Sequence, residues 1–177
     1  MQIFDTNGDM TMETKSKYSK LTLSGIYIAL FLVVMLCTQS FAFGQYQIRI
    51  ATALYGLSAL FPFLILPACL ANVLSNTLMG GLGILDIVGG GLVGLLTTSV
   101  IVFGKRQGWG NWIVFLAVTF IPGLCVPIWL SLLLHIPYLV LASSLLVGQA
   151  ICGICSMLLV TSLEKVGVGS FFTMKSF

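Results

Sequence analysis

Residues 45–86 read QYQIRIATALYGLSALFPFLILPACLANVLSNTLMGGLGILD, an apolar stretch that also holds two ionisable side chains, Arg49 and Asp86. They are the only arginine and the only acid at or inside an otherwise apolar segment of the chain. An ionisable group placed in hydrocarbon costs several kcal/mol, so it turns toward a bundle interior, a partner or water. With Gln47, Asn72 and Asn76 between or beside them, the two charges mark a candidate site.

The rest of the composition decides the solvent. Hydrophobic residues make up 58% of the 177 residues and charged residues only 7%, with a mean hydropathy of +1.09. A soluble domain carries about a quarter charged residues. The chain therefore reads as an all-α integral membrane protein. Its first twenty residues are too polar for a secretory signal, and the apolar run from Leu21 is longer than one. Residues 1–20 are expected to form a disordered cytoplasmic tail and residues 166–177 a second tail.

Between the tails, residues 21–165 divide into six expected spans. Leu21 to Ser40 has about the twenty residues that cross roughly 30 Å of hydrocarbon. Pro62 separates Gln47–Phe61 from Phe63–Met79, because proline removes a helix donor and pushes the preceding residue toward extended backbone. Gly80, Gly81 and Gly83 then turn the chain into Ile84–Phe103. The loop of Lys105, Arg106 and Gly108 leads to Asn111–Leu134, which Pro122 and Pro127 should kink. His135 to Pro137 precedes the last span, Tyr138 to about Leu163.

Six spans with both termini inside put Lys15, Lys17, Lys20, Lys105, Arg106, Lys165 and Lys175 on the cytoplasmic side, seven of the eight basic residues. Arg49 is the exception. Arg49, Asn76 and Asp86 then fall at one depth near the outer face, contributed by three spans. Binding of a ligand by these groups and a purely structural ion pair are both consistent with that placement.

Other features carry less chemistry. Cys152 and Cys155 lie mid-span, and the five cysteines give no disulfide framework. Gly25 with Ala29, and Gly90 with Gly94, are four apart, as in helices that approach closely in lipid. Trp109 and Trp112 suit interface anchors, while Trp129 suits either packing or stacking on a flat ligand. The sequence has no GxxxxGK[ST], HExxH or GxSxG motif, and with one His general acid–base catalysis has almost no players. An enzyme is not expected, and neither is nucleic-acid binding.

The run from Tyr46 to Leu54, then Phe61-Pro62-Phe63, Asn72 to Asn76 and Gly81 to Gly90, resembles the QueT family of substrate-binding S-components of energy-coupling factor (ECF) transporters. The resemblance covers about Leu21 to Lys165. It implies a six-transmembrane-helix bundle of ECF S-component type that captures a queuosine precursor, a 7-deazaguanine base, from outside. It also implies docking on a transmembrane coupling subunit with two ATPase subunits that hydrolyse ATP, this chain holding no cofactor. Gly25 and Ala29 stand where the family's small residues meet the coupling subunit.

For such a ligand the expected binding residues are Arg49, Asp86, Asn76, Asn72, Gln47, Gln149, Tyr46 and Trp129. A guanine-like edge offers paired donors to a carboxylate and a carbonyl to Arg or Asn. Tyr46, Tyr55 or Trp129 would cover the ring faces, and the link Phe41 to Tyr46 would act as a lid. An S-component for another vitamin-like compound, or a membrane assembly protein, is the alternative.

Overall fold

The computed structural model describes residues 6–39, 49–79 and 82–167. Among them the regular elements are all helical: α1 (Thr6–Cys37), a 3₁₀ helix (Ile50–Ala59), a 3₁₀ turn (Pro62–Leu64), α2 (Ile65–Leu78), α3 (Ile84–Arg106), α4 (Trp112–Leu134) and α5 (Tyr138–Lys165). Among the described residues four segments are long and apolar enough to cross a membrane: Ser16–Cys37 of α1, then α3, α4 and α5. Ile50–Ala59 and Pro62–Leu78 are shorter apolar helices.

Two sequence expectations change. The segment read as a disordered tail is helical from Thr6 onward. Met, Glu and Lys are good helix formers, and a helix already nucleated by the apolar span extends through them at little cost. Among its described residues, the expected span Gln47–Phe61 has regular structure over Ile50–Ala59, and that structure is 3₁₀. At about 2 Å per residue it is roughly 20 Å long, short of the hydrocarbon thickness.

The 3₁₀ form has a local cause. The Thr52 hydroxyl donates to the Arg49 carbonyl at 2.7 Å and the Ser58 hydroxyl to the Tyr55 carbonyl at 2.7 Å, each three residues back. Small residues let neighbours press on the backbone. Gly56 lies directly against Ser156 and Val160 of α5, where a side chain would collide. The element is buried from Ala51 through Gly56 and again at Ser58. At its end Phe61 is extended before Pro62, as the proline requires.

Glycine also sets how α2 meets α3. Gly90 faces the Asn76 side chain, Gly91 faces Val73, and Gly94 faces Asn72, so α3 presents bare backbone to the polar side of α2. These glycines serve packing within the chain. Leu66, Leu70 and Leu74 project from the opposite side of α2 and are exposed, as expected of a surface turned to lipid. α4 runs unbroken through Pro122 and Pro127, both buried, and ends at His135 in the left-handed conformation.

Two apolar clusters hold the bundle. One joins α1 to the 3₁₀ helix, α2 and parts of α3, α4 and α5 through Phe31, Met35, Tyr55, Ala68, Ile101, Val114 and Val160; Phe31 and Tyr55 stack with centroids 6.0 Å apart. The other joins α3, α4 and α5 through Val93, Val126, Leu130, Leu141 and Leu145. At the far end of α3, Lys105 Nζ reaches Glu164 Oε1 at 2.9 Å and Asn111 Oδ1 at 2.7 Å, closing α3, α4 and α5 together. The polar groups described next lie at the opposite end and toward the middle.

Candidate functional site

Arg49 immediately precedes the 3₁₀ helix and is only 8% exposed. Its carbonyl accepts from the Thr52 amide at 2.9 Å, the Thr52 hydroxyl at 2.7 Å and Cys152 Sγ at 3.4 Å, which fixes the backbone against α5. Its guanidinium donates to Asn76 Oδ1 at 3.3 Å and faces Asp86 Oδ2 at 3.9 Å. A buried pair this long has modest Coulomb attraction and a large desolvation cost, so it depends on the hydrogen bonds around it.

Asp86 supplies those bonds from the first turn of α3. Its Oδ1 accepts from the Trp129 indole N–H at 3.2 Å and its Oδ2 from the Leu82 amide at 3.3 Å. The helix N-terminus adds a favourable dipole for the carboxylate. Asn76, in the last turn of α2, donates from Nδ2 to the Asp86 carbonyl at 2.8 Å while accepting from Arg49. α2, α3, α4 and the 3₁₀ entry are thereby tied by one polar network.

Beside this network is a cavity shared by five elements. Its polar wall is Arg49, Thr52, Tyr55, Asn72 and Gln149; Gly90 leaves a flat patch of backbone; Val93, Pro122, Val126 and Leu145 form the apolar wall. About 10 Å³ is open to the centre of a water molecule, room for about one water. The Gln149 side-chain amide meets the Thr52 hydroxyl at 2.9 Å, and the Tyr55 hydroxyl meets the Asn72 side chain. Asn72 Nδ2 donates to the Ala68 carbonyl at 2.9 Å.

The 3₁₀ helix explains why Arg49, Thr52 and Tyr55 share a wall. With three residues per turn, positions three apart stand directly above one another. In an α-helix the same positions would drift around the axis.

Of the residues expected from sequence, Arg49, Tyr55, Asn72 and Gln149 line the cavity, whereas Asn76, Asp86 and Trp129 form the adjoining network. Tyr46, Gln47 and the Phe41 to Tyr46 link lie outside the described residues. Gly25 and Ala29 lie on an exposed face of α1, and nothing stands within 4 Å of a side chain placed at Gly25. Sequence reasoning missed Thr52, Gly90, Val93, Pro122, Val126 and Leu145. No periodicity in the sequence marks Thr52 as sharing a face with Arg49.

No curated protein and no solved structure matches the chain. A family model described as QueT transporter matches residues 21–165, most of the length, and the chain belongs to the QueT transporter family.

Proposed function

We propose that this membrane transport protein is the substrate-capturing S-component of an ECF-type importer, taking a 7-deazaguanine base or a similar small polar ring compound from outside. In this reading the 3₁₀ helix and α2 complete a six-span bundle with both termini in the cytoplasm. The Lys105 and Glu164 end faces inward, in keeping with the positive-inside rule. The coupling subunit docks on the exposed α1 face that carries Gly25 and Ala29, and two partner ATPases supply hydrolysis.

The observation that carries the reading is the cavity itself. Hydrogen-bonding side chains form one wall, and aliphatic side chains with the bare backbone of Gly90 form the other, which suits a small compound with a polar edge and an apolar body. Its open space is far below the several hundred Å³ of a usual small-molecule site, so a ring enters as the walls part.

Mass spectrometry of small molecules released from the purified protein tests this, followed by thermal stability with added 7-deazaguanine bases. A released ring compound, or a base that raises the melting temperature, supports it. No released compound and no shift with any base would favour a structural role for the ion pair. Co-purification of ATPase subunits tests the coupling separately.

A further inference from the structure

We propose that Asp86 is a positioning residue that does not touch the ligand, and that the cavity selects an uncharged or anionic ring compound through Arg49. The inference rests on the ring-binding reading above and adds the charge of the ligand and the division of labour between the two ionised residues.

The geometry separates their roles. Arg49 lines the cavity and Asp86 does not. Both carboxylate oxygens of Asp86 already have N–H partners within the protein, Trp129 on Oδ1 and Leu82 on Oδ2. Asp86 is 1% exposed and absent from the lining, so it reaches the ligand only if the side chains that cover it move. Its remaining direction is toward Arg49 at 3.9 Å. The pair is a dipole whose positive end faces the cavity.

Among the described residues no acid stands on the lining to offset that end. The other polar members are Thr52, Tyr55, Asn72 and Gln149, all neutral. A carbonyl, a ring nitrogen or an anionic oxygen therefore finds a charged donor in Arg49, and such bonds are stronger than those between neutral groups. An ammonium group brought into the same low-dielectric space meets a like charge at the wall, while Asp86 stays behind Arg49, 3.9 Å from it and off the lining. Specificity against it arises from repulsion as much as from attraction to the preferred ligand.

The test uses two bases of nearly equal size, 7-ethyl-7-deazaguanine and its cationic counterpart 7-aminomethyl-7-deazaguanine, titrated into the full-length protein in detergent. The wild type is expected to bind the ethyl base at least tenfold more tightly. Asp86→Asn, which keeps an acceptor for Trp129, should retain ethyl-base affinity within about fivefold and increase the preference. Gln149→Glu, which puts a carboxylate on the lining, should reduce or reverse it.

Equal or tighter binding of the aminomethyl base by the wild type overturns the inference. So does a loss beyond a hundredfold in a folded Asp86→Asn protein, since that places Asp86 on the ligand. An unchanged preference in Gln149→Glu contradicts it independently of whether Asp86→Asn folds. Binding of neither base by the wild type would instead remove the ring-base reading, and this inference with it.

Discussion

Asn76 ties Arg49 to Asp86 with the two ends of one side-chain amide: Oδ1 accepts from the guanidinium at 3.3 Å and Nδ2 donates to the Asp86 carbonyl at 2.8 Å. Asn76→Leu keeps approximately the size and removes both bonds. The buried groups left behind should lower stability by about 1–3 kcal/mol. Thermal unfolding in detergent checks this, and an unchanged melting temperature would mean that the network is rebuilt without Asn76.

Glycine substitutions separate the packed interior from the outer face. A methyl group at Gly94 would stand 2.6 Å from Asn72 Nδ2, so the Asn72 side chain must move and lose its place against the Ala68 carbonyl. Gly94→Ala should cost about 1–3 kcal/mol and weaken ligand binding, because Asn72 lines the cavity. Gly25→Ala meets no neighbour within 4 Å and, being in a helix interior, should leave the isolated protein's melting temperature the same or slightly raised. Its effect is expected in assembly with the coupling subunit, read by co-purification.

The charges and many of the breaks were legible in the sequence for physical reasons. Pro62, the glycines before Ile84 and the polar loop after Lys105 interrupt apolar runs, and the helices stop close to those positions. Arg49 and Asp86 stand out because ionised groups are costly in such surroundings. The 3₁₀ form was not legible, since the ten residues of Ile50–Ala59 are too few to separate a period of 3.0 from 3.6. Without it the Arg49, Thr52 and Tyr55 column is invisible. Pro122, Val126 and Leu145 were hidden because α4 and α5 are apolar around most of their circumference, so no cavity-facing side is marked.

Trp129 offers an optical report on the network. It donates to Asp86, whereas Trp109 and Trp112 lie at the opposite end of α4. In a Trp109→Phe/Trp112→Phe protein, emission then comes from Trp129 alone and should change on ligand binding. Asp86→Ala should shift that emission even without ligand. Emission indifferent to both would place Trp129 outside the working network.

The Lys105 and Glu164 pair provides a control at the other end. Its side chains are 21% and 35% exposed, so screening limits it to about 1 kcal/mol or less. Lys105→Met should shift the melting temperature slightly and leave ligand affinity unchanged. A large loss of affinity would show coupling between the two ends that the separate polar networks do not contain.

The most direct test of the central claim, that Arg49 meets the ligand, is Arg49→Met combined with Asp86→Asn. The pair is neutralised together, so neither buried charge is left alone. A 7-deazaguanine base that raises the melting temperature of the wild type should give no shift with the folded double variant. An equal shift in both would mean that Arg49 and Asp86 only hold helices together, and that the ligand is recognised elsewhere.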